Sequence, residues 1–212
     1  MHAIALQTPN FGRHLDLLAA MYRLRRRVFK DRLDWAVSVS GEFELDVYDT
    51  LGPTYLLLMS DAGEVVGSVR LLPTTGPTML ADTFPALLGG VAVPQDQRIL
   101  ESSRFCVDTG FAAEQAGNGL NRATFILFAA IIEAARAAGA DSIVTVTDTR
   151  MERILRRAGW PLQRIAAPQQ LGVTMAVAGF LDTSAQALNG IYEQAGINGA
   201  VLVSPDLVRA AA

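Results

Sequence analysis

The 212-residue sequence predicts an α/β fold built on a mixed sheet, and two observations lead to that class. Residues 55–59 and 65–72 are apolar, β-branched-rich runs joined by the turn signal SDAG at residues 60–63, a pattern typical of an antiparallel hairpin. From residue 99 onward, strand-like and helix-like segments alternate, which indicates strands connected through helices. A hairpin followed by such an alternation predicts a sheet with both parallel and antiparallel pairs.

Bulk properties agree with a folded globular chain. Half of the residues are hydrophobic and 18% are charged, which excludes a disordered chain. A net charge of −3 gives no general attraction to nucleic acid or anionic lipid. The longest uncharged apolar run, residues 123–132, is about half of the roughly 20 residues that a membrane span needs, so we expect a buried helix there. Cys106 can form no internal disulfide and no secretion signal is recognisable, so we expect a cytoplasmic protein.

The N-terminal segment, residues 11–30, has apolar residues at every third or fourth position, which predicts a helix. Arg25 lies in line with Met21 and Phe29 at i, i+4 spacing and therefore borders the apolar face of that helix. An arginine in this position needs an anionic partner.

The next segment, residues 31–50, shows no clear period and contains Trp35 together with Asp46 and Asp49. A loop of about twenty residues inside a compact domain is usually a binding loop or disordered. Its aromatic residues favour a binding loop.

The remaining elements follow in chain order. We predict a short helix to residue 88 capped by Asp82 or Thr83, a strand over 99–108, a helix over 120–138 stopped by Gly139, a strand over 142–148, a basic helix over 150–158 closed by Gly159, a strand over 173–181 and a helix over 183–195.

The strand over 99–108, ILESSRFCVD, carries Glu101 and Arg104 in its interior. Burying either charge costs several kcal/mol unless the charge is paired. Side chains alternate along a strand, so two residues three apart should face opposite sides unless a bulge turns one of them. The pair is therefore either exposed or part of a site.

Six charged residues lie where solvated charges are not expected. They are Arg25, Asp46, Asp49, Arg70, Glu101 and Arg104. Two readings remain open from the residues alone: an ion-pair network that pins the N-terminal segment to the sheet, and a site for a zwitterionic ligand. The aromatic residues Phe29, Trp35 and Phe84 favour a ligand, because small-molecule pockets combine aromatic walls with a few placed charges.

The chain has few of the residues from which common catalytic sites are built. His2 and His14 are the only histidines, so neither a histidine triad nor a metal site is expected. Cys106 lies in a buried strand and is expected to be a core thiol rather than a nucleophile. No phosphate loop of the GxxxxGK[ST] type occurs.

Six segments occur in the order and spacing of a known family, over about residues 20–165. They are LRRRVF (24–29), LDW (33–35), ELDVYD (44–49), RLLPTTGPTMLADTFPALL (70–88), ESSRF (101–105) and IVTVTD (143–148). In these segments the chain resembles the acyl-homoserine-lactone synthases, the autoinducer synthases of bacterial quorum sensing. The turn at residues 115–119, QAGNG, partly resembles the pyrophosphate-binding turn of N-acetyltransferases, although a plain turn is equally consistent.

The resemblance implies an acyltransferase-like α/β fold, similar to the N-acetyltransferase superfamily: a three-layer sandwich with a mixed, bulged central sheet. It implies S-adenosylmethionine as the amino substrate and an acyl thioester, on acyl carrier protein or coenzyme A, as the donor. The products are an N-acyl-homoserine lactone and 5′-methylthioadenosine, and no cofactor is implied. We expect one domain over residues 1–212, with a helix and substrate-covering loop in 1–50, the core sheet in 55–181 and a helical C-terminal segment in 183–212.

The same resemblance assigns candidate roles. Glu101, Ser103 and Arg104 form the catalytic set, with Glu101 as base and a bulge near Ser103 that turns Glu101 and Arg104 toward one cleft. The residues expected to bind S-adenosylmethionine are Arg25, Phe29, Trp35, Asp46, Asp49, Arg70 and Phe84.

The acyl donor is expected at two further places. Phe105, Thr145 and Thr147 are expected to line the acyl-chain pocket, and a threonine in this strand is associated in the family with 3-oxo chains. The alternative is that both threonines are ordinary β-branched strand residues. A basic stripe could dock an acidic carrier protein, although a merely solvated helix face is equally consistent. The stripe consists of Arg150, Arg153, Arg156 and Arg157. Two rival functions remain: an N-acyltransferase for another amine, and a non-catalytic S-adenosylmethionine binder.

Overall fold

The computed structural model describes residues 1–108, 110 and 119–204. The strands and α-helices in chain order are β1 (His2–Leu6), α1 (Leu15–Arg25), β2 (Val39–Ser40), β3 (Phe43–Glu44), β4 (Thr54–Met59), β5 (Val65–Pro73), β6 (Ile99–Val107), α2 (Arg122–Ala137), β7 (Ser142–Asp148), α3 (Thr149–Arg157), β8 (Gln163–Arg164), β9 (Gln169–Leu171), β10 (Thr174–Asp182), α4 (Ala185–Ala195) and β11 (Leu202–Val203). Short 3₁₀-helices span Thr8–Arg13, Val47–Thr50 and Pro85–Leu88, and short π-helices span Arg26–Arg32 and Met79–Thr83.

The described strands form one large mixed sheet and one small hairpin. The large sheet has the order β11-β1-β4-β5-β6-β7-β10-β8, and β9 also pairs with β10. The β1/β11 and β6/β7 pairs are parallel and the others are antiparallel. The hairpin consists of β2 and β3. The predicted mixed sheet is confirmed.

Helices cover both faces of the sheet, so the fold has three layers. Along β4, Leu57 packs in the cluster with α1, whereas Leu56 and Leu58 pack in the cluster with α2. This alternation lets one strand contribute to both cores, and each fully buried leucine stabilises the fold by about 1.5–3 kcal/mol. Gly67 permits the close approach of α2, because a Cβ there would lie 2.9 Å from Leu127 Cδ1.

Several elements differ from the sequence-based expectation. The helix expected over 11–30 is divided into the 3₁₀ turn, α1 and the π-helix Arg26–Arg32. Thr78 caps the segment that follows β5, through a hydrogen bond from Ala81 N at 3.2 Å, so the predicted caps Asp82 and Thr83 were wrong. The strands β1, β2, β3, β8, β9 and β11 were not predicted.

A bulge in β6 changes the register of the central sheet. Ser68 pairs with Cys106, but Arg70 pairs with Ser103, so Val69 of β5 faces two residues of β6, Arg104 and Phe105. Arg104 has a φ of +54°, a left-handed conformation that is uncommon for any residue other than glycine.

The two central parallel strands diverge near the same level. The β6/β7 ladder runs from Ile99 and Ser142 to Ser102 and Thr145, and within the described residues it ends there. Beyond that point β7 pairs with β10 through Asp148. The strand edges of β6 and β7 are thus left facing each other across the divergence.

The expected C-terminal helical segment, 183–212, corresponds in its described part to α4 and the short strand β11. Its residues 205–212 lie outside the described residues. Among the helices of the described ranges, none combines the length and apolarity required to cross a bilayer.

Candidate active site

The bulge in β6 brings Glu101 and Arg104 to the same place. Regular alternation would send Arg104 to the α2 face of the sheet, away from Glu101. Instead, Arg104 Nη1 lies 3.5 Å from Met79 Sδ, while Met79 N donates to Glu101 at 2.8 Å. The bulge predicted near Ser103 is therefore present and has the predicted effect on side-chain direction.

Arg25, at the end of α1, is fully buried and has two anionic partners. Its Nε donates to Glu44 Oε2 at 2.6 Å, and its two Nη groups donate to the two oxygens of Asp49 at 2.8 and 2.9 Å. Such bidentate pairs fix both position and orientation. The anionic partner expected for Arg25 is confirmed.

Arg70, in β5, is also fully buried. Its Nη1 contacts Asp46 at 2.5 Å and Asp49 at 3.0 Å, and its Nε donates to Ser103 Oγ at 3.0 Å. The Met79 thioether lies 3.1 Å from Nη2. The loop after β3 and the strand β6 are thus joined through one guanidinium group.

Arg104 completes the set of three buried or partly buried arginines. Its Nε and Nη2 both lie 3.0 Å from Glu44 Oε1, and Nη2 lies 2.7 Å from Asp46 Oδ2. Its guanidinium carbon lies 5.6 Å from the centre of the Phe29 ring. The side chain is 12% exposed, against 0–1% for Arg25 and Arg70, so Arg104 is the member of the trio that a ligand can reach.

Asp49 is the most heavily hydrogen-bonded carboxylate of the network. Besides Arg25 and Arg70, it accepts from Tyr55 Oη at 2.7 Å and from Asp46 N at 2.8 Å. Burial alone raises the pKa of Asp49, but the hydrogen bonds and charges of Arg25 and Arg70 hold it well below its usual range. With every lone pair engaged, Asp49 supports the arginines rather than a ligand.

Glu101 occupies a different environment from the other carboxylates. Its oxygens accept from the backbone N–H groups of Met79 at 2.8 Å and Leu80 at 2.7 Å, and the residue is 1% exposed. Burial raises the pKa of Glu101 by more than these two donors lower it. Glu44 takes the place in the ion-pair network that the sequence assigned to Glu101.

Glu44 was the residue that sequence reasoning missed. It lies in the same aperiodic segment as Asp46, two positions earlier, and an acidic residue at that spacing is the signal that could have marked it. The site accordingly holds four carboxylates and three guanidinium groups, a net charge of −1 when all are ionised. In the described part of the chain, no cluster of three or more histidine, cysteine or acidic side chains is arranged to hold a metal ion.

Aromatic residues lie on both sides of this charged cluster. Phe29 is buried and stacks on the partly exposed Trp35, with ring centres 5.4 Å apart and an interplanar angle of 12°. The π-helix Arg26–Arg32 makes this stack possible. Just after its end, Trp35 N donates to the Phe29 carbonyl at 2.9 Å. Phe84 packs near Met79 on the opposite flank.

The three residues expected to line the acyl-chain pocket lie on β6 and β7 near the point where these strands diverge. Thr145 donates to the Ser102 carbonyl at 2.9 Å, at the last pair of the parallel ladder. Thr147, two residues on, points to the same face of the sheet. Phe105 follows the bulge and lies 5.3 Å from the Phe128 ring of α2. Phe105 therefore packs on α2, and Thr145 and Thr147 lie on the same face of the sheet as Ile143, which is in the cluster with α2.

The basic stripe lies on α3, apart from the ion-pair network. Arg150, Arg153 and Arg156 are exposed, and Arg157 reaches the backbone at Gly119. The turn expected to bind a pyrophosphate, at 115–119, lies outside the described residues except for Gly119.

Comparison with known proteins identifies the family of this chain. The family model of the autoinducer synthases matches residues 12–191, which include the whole ion-pair network. The chain belongs to the autoinducer synthase family. It is therefore an acyltransferase that makes an acyl-homoserine lactone, and the resemblance drawn from the six segments is confirmed.

Relatives of this autoinducer synthase match it over most of its length. A probable acyl-homoserine-lactone synthase of Sinorhizobium fredii (strain NBRC 101917 / NGR234) is 50% identical over 186 residues, covering 87% of this chain and 89% of that protein. The crystal structure of the AHL synthase LasI is 34% identical, with a TM-score of 0.77, and the match covers 91% of this chain and 96% of that one.

One related structure contains a nucleoside. TofI in a ternary complex with an inhibitor and MTA is 31% identical, with a TM-score of 0.75, over 93% of this chain and all of that one. A putative N-acetyltransferase from Lactobacillus plantarum, 18% identical with a TM-score of 0.56 over 87% of this chain and all of that one, shares the fold alone. The predicted acyltransferase-like fold class is confirmed.

Proposed function

We propose that this autoinducer synthase joins an acyl thioester to S-adenosylmethionine and closes the lactone with release of 5′-methylthioadenosine. The observation that carries the proposal is the site with four carboxylates and three guanidinium groups between Phe29 and Phe84. The MTA found in the related TofI structure supports the choice of nucleoside substrate.

Charge complementarity favours this substrate. S-adenosylmethionine carries a sulfonium, an ammonium and a carboxylate, a net charge of +1, whereas the site carries −1 when its carboxylates are ionised. A buried site gains most from a ligand that neutralises it, because opposite charges attract strongly where water is excluded. An amine substrate with a net negative charge would instead be repelled by the net negative charge of the site.

Arg104 is assigned to the substrate carboxylate, because it is the arginine of the trio with an exposed surface. The aromatic residues Phe29, Trp35 and Phe84 are assigned to the sulfonium and adenosyl groups, since cations are attracted to aromatic faces. Arg25, Arg70, Asp46 and Asp49 hold this arrangement in place through their mutual contacts. These four residues therefore contribute to substrate binding mainly by holding in position the residues that contact the substrate.

Glu101 is assigned as the general base for the first step. The substrate ammonium loses a proton to Glu101, directly or through a water, and the nitrogen attacks the thioester carbonyl. The C–S bond then breaks and the sulfur leaves as thiol, so one proton is released per acylation. A carboxyl with a raised pKa is better matched to this task than an ordinary one.

The bulge supplies the remaining feature of the acylation step. Ser103 holds Arg70 at the bulge, and the unpaired edge of β6 beyond Ser102 can offer backbone N–H groups to the tetrahedral oxyanion. In the second step the homoserine carboxylate attacks the carbon that bears the sulfonium, and 5′-methylthioadenosine leaves.

The acyl chain is assigned to the space beside Phe105, Thr145 and Thr147, near α2. A hydroxyl at this level suits a 3-oxo chain. The product profiles of the Thr145→Val and Thr147→Val variants, measured by mass spectrometry, check this assignment. An unchanged preference for chain length and oxidation state in both variants would remove it.

Acyl carrier protein is the proposed donor, because the exposed arginines of α3 suit an acidic partner. Coenzyme A thioesters carry the same reactive group and are the alternative donor. The reaction as written needs no cofactor beyond its two substrates, and we place it in the cytoplasm, where both are made.

The test is incubation of the purified protein with S-adenosylmethionine and a series of acyl-carrier and acyl-coenzyme A donors. We expect release of 5′-methylthioadenosine together with an acyl-homoserine lactone, both identified by mass spectrometry. Free thiol without 5′-methylthioadenosine would indicate an N-acyltransferase for another amine. Neither product, with S-adenosylmethionine bound, would indicate a non-catalytic binder.

A further inference from the structure

Glu44 connects two arginines that come from distant parts of the chain. It is the last residue of β3, and its side chain is fully buried. One oxygen, Oε2, accepts from Arg25 Nε at 2.6 Å at the end of α1. The other oxygen, Oε1, lies 3.0 Å from both Nε and Nη2 of Arg104 at the bulge of β6.

Arg104 depends on such a partner for its orientation. Its backbone is held in a left-handed conformation, with a φ of +54°, that is unfavourable for a residue with a side chain. Its side chain is partly exposed and, if unpaired, would be free to take many rotamers. Asp46, its other carboxylate partner, is shared with Arg70. Glu44 Oε1 is therefore the contact that fixes the Nε/Nη2 edge of the Arg104 guanidinium group.

We propose that Glu44 is a positioning residue of the synthase reaction: it orients Arg104 so that the guanidinium meets the carboxylate of the amino substrate. The inference rests on the proposed function, in which Arg104 binds that carboxylate. Glu44 itself touches no reacting atom. Glu44 helps to place the substrate, so its loss lowers the affinity for S-adenosylmethionine.

The substitution Glu44→Gln tests this with little change of shape. An amide has one acceptor and one donor end, so its NH₂ group must face either Arg25 or Arg104, and both of these are donors. We expect the KM for S-adenosylmethionine to rise about tenfold, because the substitution removes a charge-assisted hydrogen bond that orients Arg104. The KM for the acyl donor stays unchanged, and kcat falls no more than about threefold.

The matched control is Glu42→Gln. Glu42 lies two residues earlier in the same hairpin and pairs with Arg23 at the surface, with Nε 2.6 Å from Oε2. Its ion pair is with Arg23 and not with Arg104, so its loss should leave both KM values as in the wild type. Any general effect of altering the hairpin would appear in this variant too.

A double-variant cycle separates positioning from a merely structural role. If Glu44 acts through Arg104, then Glu44→Gln in an Arg104→Lys background raises the KM for S-adenosylmethionine no further. Should Glu44→Gln not fold, Glu44→Asp, which keeps the charge but withdraws it by one methylene, takes its place. An unchanged KM in the single variant, or a full additional rise in the double variant, overturns the proposal. Absence of 5′-methylthioadenosine release by the wild type would instead overturn the proposed function.

Discussion

Single residues at the bulge determine what the central strand can do. Arg104 occupies the left-handed position that turns its side chain toward Glu44 and Asp46. Without the bulge, the same arginine would face the apolar α2 layer, where an unpaired charge is strongly destabilising. Local backbone strain at this residue is therefore directly connected to the charge distribution of the active site.

The role of Glu101 leads to a prediction at the residue level. Glu101→Gln should lower kcat by about 10²-fold or more, because a positioned base typically contributes that much. Since burial raises the pKa of Glu101, the wild-type rate should also rise with pH as this carboxyl loses its proton. The variant should lack that limb of the pH–rate profile.

Glu64→Gln is the control for this variant, since Glu64 is exposed on the turn between β4 and β5. Circular dichroism should show that Glu101→Gln is folded, even though its amide can satisfy only one of the N–H groups of Met79 and Leu80. Near-normal lactone synthesis by Glu101→Gln would remove Glu101 from the role of base.

Short irregular elements place the site residues more than the long helices do. The π-helix Arg26–Arg32 adds one residue per turn to the end of α1 and stacks Phe29 on Trp35. The second π-helix, Met79–Thr83, presents the two N–H groups that hold Glu101. Such widened turns are frequent at functional sites, and both border the ion-pair network here.

The basic helix α3 leads to a prediction about the acyl donor. If its arginines dock an acidic carrier protein, kcat/KM with a carrier-bound donor should fall steeply as salt is raised, because exposed charges are screened beyond about 10 Å at 0.1 M ionic strength. Arg153→Glu should lower kcat/KM with that donor about tenfold or more and leave kcat/KM with an acyl-coenzyme A donor unchanged.

Arg98→Glu is the matched control for α3. Arg98 is exposed and pairs with Asp141 at the opposite end of the central strands. Equal salt dependence with both donors, or an Arg153→Glu variant that behaves like Arg98→Glu, would indicate that α3 is only a solvated surface.

At the scale of the whole molecule, the network joins segments that are far apart in the sequence. Arg25 from α1, Asp49 from the following loop and Arg70 from β5 meet in the interior. Removing one member of a buried ion pair typically costs about 3–5 kcal/mol, because it leaves an uncompensated charge. The same contacts that shape the site therefore also hold the N-terminal segment against the sheet.

The lowered pKa of Asp49 predicts loss of stability in acid. Its folded-state pKa lies below the unfolded value of 3.8, so its stabilising contribution is present above that value and is lost as the pH falls toward the folded pKa. The contribution of Glu101 to stability depends on pH in the opposite direction. Because its pKa is raised in the folded state, Glu101 stabilises the fold at low pH, and this contribution is lost as the pH rises.

Denaturant unfolding of the wild type and of Asp49→Asn at several pH values measures this effect. At pH 7 the variant should be less stable by about 3–5 kcal/mol, and the difference should narrow below roughly pH 4. Glu42→Gln, which alters an exposed ion pair, should unfold at the same denaturant concentration as the wild type. A constant difference across the pH range would contradict the assigned pKa of Asp49.

The sequence predicted the parts of this molecule that depend on local pattern or on unusual charge. The conflict between Glu101 and Arg104 in one strand left exposure of the pair or a bulge as the two explanations, and the structure has the bulge. The place of Arg25 beside an apolar stripe predicted its anionic partner. The strand β1 was missed because its five residues acquire strand character only by pairing with β4 and β11. Glu44 was missed because an aperiodic loop does not reveal which of its acids turn inward.

The role of Arg104 in substrate binding is checked by isothermal titration calorimetry of S-adenosylmethionine with the wild type and with Arg104→Gln, both at a temperature where circular dichroism shows that they are folded. We expect the wild type to bind and the variant to bind about 10- to 100-fold more weakly, because it lacks a charge-assisted contact worth roughly 1.5–3 kcal/mol. Equal affinity in the two proteins would contradict this role.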